Sequence, residues 1–348
     1  MRYRFYTTSA KAWLAMLEAI KSAKTSIYLE SYILIDDEVT HYFFEELERK
    51  AKQGIKVKII VDKVGNFWTA SLDKVKFEKA GAEVLFFNRW FYRTHRKILI
   101  VDESIAFLGG VNVSGAYAKW LDLHLRVTGQ LVKRLLQSFG RMYQLCGGKE
   151  HGLLLSKKWP LAKTRSKIYK AKSWLIERWP IKGRSAFRAY YKRKCSEAKK
   201  SIVIVTPYFI PHRWLVRSLQ RAIQRGVRVE VILPSNTDVW LARIANLAFA
   251  ESLQDGIKFF FLPEMIHAKV LLVDDQEGLI GSNNIDAQSF DFNLEASVVF
   301  QRKDMVGDLK KITENWKKIA IPFAEVQRQR HWYERIFGFF IRFFQPIL

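Results

Sequence analysis

The stretch HRKILIVDESIAFLGGVN at residues 95–112 has a close counterpart in HAKVLLVDDQEGLIGSNN at residues 267–284. Both begin with the pattern His-x-Lys-x-x-x-x-Asp, and His95 lies 172 residues before His267. The two stretches align without a gap, and most of their apolar positions, Gly109 and Gly281, and the final Asn112 and Asn284 match. Because chance does not readily preserve one spacing across so long a pattern, the sequence predicts an internal duplication.

Further apolar segments precede both stretches in the same order. SIYLESYIL, GIKVKIIVD and GAEVLFF come before the first, and SIVIVTPYFI, GVRVEVILP and GIKFFFL come before the second. Such short runs are typical of buried strands, and the helical patterns between them end at Gly54 and Gly226. We therefore expect an α/β fold of two pseudo-symmetric halves, each a mostly parallel sheet flanked by helices, with one active site between them.

The duplication divides the chain into four predicted regions. These are an N-terminal half at residues 1–150, a basic aromatic linker at 151–200, a C-terminal half at 201–328 and an amphipathic aromatic tail at 329–348. Residues 157–200 hold sixteen Lys or Arg against two Glu, together with several Trp and Tyr. Three interpretations fit this composition: a solvated helical linker, a patch that grips anionic lipid headgroups, or a nucleic-acid groove.

The composition limits the class of protein and of partner. A hydrophobic fraction of 49% supports ordinary buried cores, and a formal net charge of +24 favours an anionic partner. Cys146 and Cys195 are too few for a disulfide framework and form no metal-binding pattern, so we expect a reduced protein. No run of about 18 uncharged apolar residues occurs, so we expect no membrane-spanning helix.

The duplicated motif carries residues suited to attack on a phosphodiester. His95 and Lys97 are two apart on a predicted strand and share a face, as do His267 and Lys269. If the halves pack by pseudo-symmetry, both pairs meet in one cleft. The ammonium groups would then stabilise the phosphoryl oxygens, one imidazole would attack phosphorus, and the other would act as general acid and base. We expect no metal and no cofactor, because the lysines supply the positive charge.

These motifs resemble the phospholipase D superfamily, over nearly all of the chain from Thr8 to Glu325. The stretches TPYFIP and HAKVLLVDDQEGLIGSNNIDAQSFDFNLEASV are most similar to short bacterial cardiolipin synthases, which lack N-terminal membrane helices. The resemblance implies a phosphohistidine intermediate with His95 as nucleophile and His267 as general acid and base, although the residues alone leave the reverse assignment open. It also implies that Asn112 and Asn284 bind phosphate.

Several other positions have predicted roles. Ser282 lies beside the phosphate site, where the first half has Gly110, and this asymmetry suggests that the halves play unequal parts. Asn112, Ser282 and Asn284 could instead only cap a helix. Asp102 and Asp274 end the two motifs. Because side chains alternate between the faces of a strand, these aspartates should face away from the His-Lys pairs, and we expect them to hold turns.

The residues that orient the imidazoles are predicted to lie on later strands. Asp122 in KWLDLHLRV and Glu295 in NLEASVV follow the two histidines at similar distances. A carboxylate on the far ring nitrogen would fix the tautomer and raise basicity. The alternative is a surface carboxylate on a strand.

The tail sequence RHWYERIFGFFIRFFQPIL suggests membrane attachment. Its last 13 residues would form about 20 Å of helix, which is too short to span a bilayer but could lie in the interface. We expect a peripheral protein at the cytoplasmic face of a bacterial inner membrane, making cardiolipin from phosphatidylglycerol and a second phospholipid. The alternatives are a phospholipase D hydrolase, a nuclease of the same superfamily for which nucleic acid would be the partner, and a non-catalytic membrane scaffold. The sequence does not define the oligomeric state.

Overall fold

The computed structural model describes residues 1–66, 73–150, 152–153, 172–179 and 185–328, and within the C-terminal segment residues 332, 334 and 336–338. Much of the segment predicted as a linker and most of the predicted tail therefore lie outside the described residues. Within the described part, no helix is both long enough and apolar enough to cross a bilayer.

The first half is a seven-stranded sheet in the order β1-β7-β6-β5-β2-β3-β4. Its elements in chain order are β1 (Tyr3–Thr8), α1 (Ser9–Ser22), β2 (Ser26–Ser31), α2 (His41–Lys52), β3 (Lys56–Asp62), α3 (Lys74–Lys79), β4 (Glu83–Phe87), β5 (Ile98–Val101), β6 (Ile105–Gly109), β7 (Leu121–Thr128) and α4 (Gln130–Leu145). Helix α2 ends just before Gly54, as predicted. Gly54 has a positive φ of 79°, which is typical of the residue that terminates a helix.

The second half repeats this sheet in the order β11-β10-β9-β12-β13-β14-β8. Its elements are β8 (Ser173–Arg178), α5 (Ala186–Glu197), β9 (Ser201–Val205), α6 (Arg213–Gln224), β10 (Arg228–Pro234), α7 (Trp240–Leu253), β11 (Ile257–Leu262), β12 (Val270–Val273), β13 (Glu277–Gly281), β14 (Glu295–Phe300), α8 (Lys303–Lys318) and α9 (Phe323–Arg328). Two pseudo-symmetric α/β halves are thus confirmed.

Two details of the prediction need correction. The sheets are mixed rather than mostly parallel, because only β2-β3-β4 and β9-β10-β11 are parallel, and the other neighbours are antiparallel. Turns as short as the one between β5 and β6 can join only antiparallel strands. In addition, β8 and α5 lie in the predicted linker at 151–200, yet they occupy the places in the second half that β1 and α1 occupy in the first.

The two sheets are held together by a shared apolar core. One cluster combines buried side chains of both sheets, such as Ile100 and Leu125 with Val205 and Val298, and it also includes the inner faces of α4 and α8. Separate clusters cover the outer face of each sheet. Burial on both faces explains why the strands read as continuous apolar runs, and it fixes the two halves against each other.

Candidate active site

The two motif histidines lie where the halves meet. The backbone N–H of His95 donates to Leu294 O at 3.0 Å, and that of His267 donates to Leu121 O at 2.7 Å. Each histidine thus pairs with the opposite half, in an extended segment just before β5 or β12. The prediction that they lie on those strands is wrong by a few residues, because their backbone groups bond across the interface instead of within a sheet.

Each imidazole faces a carboxylate from the other half. His95 Nδ1 lies 3.2 and 3.3 Å from the carboxylate oxygens of Glu295, and His267 Nδ1 lies 2.9 Å from Asp122 Oδ2. All four side chains are buried. The carboxylates fix the tautomer that leaves each Nε2 free for substrate. Spacing along the chain suggested that each histidine pairs with the carboxylate of its own half. In the structure, each histidine pairs with the carboxylate of the other half.

Ser282, predicted to contribute to the phosphate site, contacts the carboxylate that faces His95. Its hydroxyl donates to Glu295 Oε2 and accepts from the backbone N–H of Ala296 at 3.1 Å. The matching position in the first half is Gly110, where a Cβ would come within 2.2 Å of Asp122 Oδ1. The serine therefore holds one carboxylate, while the glycine makes room for the other.

The motif lysines are buried and crowded by positive charge. Lys97 Nζ donates to His95 O at 2.7 Å, and Lys269 Nζ donates to His267 O at 2.6 Å. Burial and the charge of Lys269 hold the pKa of Lys97 well below its usual value. Burial lowers the pKa of Lys269 to about 8, although the charges of Asp122 and Glu295 oppose this shift. A bound anion would relieve this repulsion, so the arrangement favours a phosphate between the lysines.

The surroundings of both imidazoles favour the neutral form. Burial and the charge of Lys97 lower the pKa of His95 to about 4, although Glu295 opposes them. Burial and Lys269 likewise lower the pKa of His267 against the effect of Asp122. The charge of Lys269 also lowers the pKa of His95, and the charge of Lys97 also lowers the pKa of His267. The two motifs therefore lie close enough in one cleft to interact electrostatically.

Asn112 and Asn284 are buried beside this cleft. Each has a side-chain oxygen without a hydrogen-bond partner among the described residues. The backbone of each is engaged, since Asn112 O accepts from Trp13 Nε1 and Asn284 N donates to Ser289 Oγ. An unsatisfied buried amide oxygen is costly unless a donor completes it, so each Oδ1 is available to a water or to a hydroxyl group of a ligand.

The aspartates that end the motifs point away from the cleft. Asp102 accepts backbone N–H groups of Lys24, Thr25 and Ser26, at 2.8 to 3.1 Å. Asp274 accepts the equivalent groups of residues 199–201, at 2.7 to 3.1 Å. Burial would raise the pKa of each carboxyl, but these donors outweigh it and lower the pKa. Each residue ties the turn after its motif strand to the start of the neighbouring strand in the sheet, β2 for Asp102 and β9 for Asp274.

The sequence analysis missed Arg96, which lies between the motif residues but is fully buried on the opposite side. Its guanidinium contacts Glu30 Oε2 at 3.2 Å and Glu177 Oε1 at 3.4 Å, and it stacks over Trp179 at 4.9 Å. Thr94 Oγ1 donates to Glu30 at 2.7 Å. This network fastens the first motif to strand β8 of the other half.

Aromatic rings cover the imidazoles. Tyr32 meets His95 edge to face with centroids 5.0 Å apart, and Lys97 Nζ lies 5.1 Å from the Tyr32 centroid. Trp120 lies 5.3 Å from His267. The position of Tyr32 at the end of an apolar strand was a usable signal, whereas Trp120 lies in a loop whose path the sequence does not define.

A family profile described as the cardiolipin synthase, phospholipase D-like domain matches residues 16–143 and 191–316. The chain belongs to this family of enzymes. It is 30% identical to a cardiolipin synthase of Halalkalibacterium halodurans over 98% of its own length and 71% of the relative's. A cardiolipin synthase of Clostridium perfringens is 30% identical, over 81% of this chain and 63% of the relative. The chain thus spans roughly two thirds of such relatives' length.

Solved structures share the fold. A phosphatidylserine synthase of Haemophilus influenzae has a TM-score of 0.76 at 15% identity, covering 99% of this chain and 95% of that one. A polyphosphate kinase of Porphyromonas gingivalis has a TM-score of 0.61 at 14% identity, over 90% of this chain and 46% of that one. At such low identity, these similarities establish the two-half architecture and nothing finer.

Proposed function

We propose that the protein is a phosphatidyltransferase that makes cardiolipin from phosphatidylglycerol and a second phospholipid through a phosphohistidine intermediate. The observation that carries the proposal is one cleft holding two imidazoles, each oriented by a buried carboxylate, and two buried lysines. Membership of the cardiolipin synthase family supplies the substrate class.

The first step forms the covalent intermediate on His95. Its neutral Nε2 attacks the phosphorus of phosphatidylglycerol, while Lys97 and Lys269 stabilise the charge on the phosphoryl oxygens. His267 takes up a proton at Nε2 when the substrate anion binds, and it donates this proton to the glycerol oxygen as the bond from phosphorus to that oxygen breaks. Asp122 stabilises the protonated His267 in the complex, where the substrate anion offsets the lysine charges.

The second step reverses the roles. His267 Nε2 accepts the proton from the primary hydroxyl of the second phospholipid, whose oxygen attacks phosphorus. The bond from phosphorus to His95 breaks, which releases cardiolipin and restores the neutral imidazole. Asn112 and Asn284 supply side-chain amides that hydrogen-bond the phosphate in both steps.

Membrane contact through the basic segment forms part of the proposal. Arg188 and Lys192 of α5, with Arg217, Arg221 and Arg225 from α6 and its end, line a groove of about 410 Å³. No carboxylate in the described part of the chain lines this groove, so it suits anionic headgroups. With the aromatic tail, it would hold the enzyme peripherally at the cytoplasmic face of a bacterial inner membrane.

Incubation of the purified chain with phosphatidylglycerol vesicles tests the proposal. We expect cardiolipin and free glycerol in equal amounts, measured by lipid mass spectrometry and enzymatic glycerol determination. Phosphatidic acid without cardiolipin would identify a hydrolase of the same fold. Salt-sensitive cleavage of single-stranded DNA without any lipid product would identify a nuclease.

A further inference from the structure

A short loop before the first motif exposes two adjacent aromatic side chains. Trp90 is 90% exposed and Phe91 is 76% exposed, at the tip of the turn between β4 and His95. Arg89 and Arg93 flank them. Large aromatics side by side in water leave apolar surface uncovered, and such surface on a folded protein commonly marks an interaction site.

The loop is braced at its base. Arg89 and Tyr92 form a β-bridge, and the Arg93 guanidinium donates to the carbonyls of Arg89, Trp90 and Tyr92 at 3.0 to 3.3 Å. The carbonyl of Arg93 accepts Leu294 N–H at 2.7 Å from the opposite half. These bonds hold the backbone that carries the aromatic pair, which reduces the backbone entropy lost when the loop meets a partner.

We propose that this loop inserts Trp90 and Phe91 into the interfacial layer of an anionic bilayer and thereby sets the cleft against the lipid headgroups. Tryptophan prefers the headgroup level, and flanking arginines suit phosphates there. Trp90 precedes His95 by five residues, so their Cα atoms are at most about 18 Å apart. The inference rests on the proposed function, because a lipid substrate is what requires the cleft to face a membrane.

Another exposed aromatic provides a matched control. Tyr42 is 68% exposed, but it lies on a surface formed with Asp36, Asp37, Glu38 and Glu45. An acidic surface is repelled by anionic lipid, so exposure alone would not bring Tyr42 to the membrane. The contrast with the Arg-flanked loop makes the proposal specific to Trp90 and Phe91.

The experiment compares W90A/F91A, the swapped variant W90F/F91W and Y42A in the full chain. Binding to sucrose-loaded vesicles of phosphatidylglycerol and phosphatidylcholine is measured by sedimentation, without turnover. We expect W90A/F91A to weaken binding about tenfold or more, with the swapped variant and Y42A near the parent. Circular dichroism and thermal unfolding establish that each variant is folded.

A second measurement separates membrane contact from catalysis. Turnover of monomeric short-chain phosphatidylglycerol, below its critical micelle concentration, should fall far less in W90A/F91A than turnover of vesicles. Equal loss on both substrates would overturn the proposal, since the loop would then serve the cleft itself. Unchanged vesicle binding by W90A/F91A would also overturn the proposal. If binding is intact but the oligomeric mass of this variant drops, the loop contacts a second copy of the chain instead of the membrane. Because vesicle binding is read without turnover, the binding outcomes are independent of which lipid product forms.

Discussion

The two half-sites have the same geometry but different surroundings. Each places a histidine and a lysine at the junction and takes a carboxylate from the other half. In the first half, the residue between His95 and Lys97 is Arg96, which is buried against Glu30. In the second half, Ala268 takes the place of Arg96, 172 residues later. Val205 takes the place of Glu30, because the two occupy the same position in the strand pairing of each sheet. Duplication has kept the reacting groups and changed what supports them, which allows the two imidazoles to take different roles.

The largest expected effect comes from removing either imidazole. His95→Asn should lower cardiolipin synthesis by about 10⁴-fold or more, because the nucleophile is lost. His267→Asn should lower it by about 10²- to 10⁴-fold, because glycerol then leaves without a general acid. Initial rates with phosphatidylglycerol vesicles measure both.

A phosphatidyl ester of p-nitrophenol distinguishes the two roles. Nitrophenolate leaves without a proton, so His267→Asn should still release about one equivalent in a burst and retain a phosphatidyl group on the protein. His95→Asn should give neither the burst nor the adduct. The opposite result would exchange the nucleophile and the general acid between the halves.

The sequence revealed the duplication and the two His-Lys pairs because these depend on local pattern and spacing. It also pointed to Asp122 and Glu295, but not to their exchange between halves, since that follows from how the sheets pack. The contact of Ser282 with Glu295 was not visible either, because it depends on the packing of β13 against β14. Short apolar strands also read alike in parallel and antiparallel sheets, so the mixed topology was not visible.

The buried Arg96 network gives the next effect, on stability. Arg96→Ala leaves Glu30 buried without its cation and should reduce the free energy of unfolding by about 3–5 kcal/mol. Urea denaturation followed by tryptophan fluorescence measures this loss. E30V/R96A, which copies Val205 and Ala268 of the second half, should recover a large part of it. A double variant as unstable as R96A would show that the other partners of Arg96, namely Ser138, Glu177 and Trp179, matter more than Glu30.

The pH profile tests the charges assigned to the cleft. His95 must be neutral to attack, so kcat/KM should fall as pH drops through about 4. His267 must be protonated to act as the acid, and burial and Lys269 lower its pKa, so kcat/KM should fall as pH rises through that lowered value. Lys269 must be charged, so the fall should steepen as pH rises through about 8. Lys269→Arg should lower the rate about tenfold at pH 7, because a guanidinium has a different shape, and should remove the steepening near pH 8. A steepening that persists in this variant would assign it to another group.

The smallest expected effect concerns Ser282, the residue that makes the two carboxylate sites unlike. Ser282→Gly copies Gly110 and removes one hydrogen bond from Glu295, which retains His95 and Asn293 Nδ2 at 3.4 Å. We expect kcat to fall about tenfold or less, with unchanged vesicle binding. The reciprocal Gly110→Ser should cost more, because its Cβ would displace Asp122 from His267. Equal losses in the two variants would mean that the serine and the glycine are interchangeable, and this position would then not distinguish the half-sites.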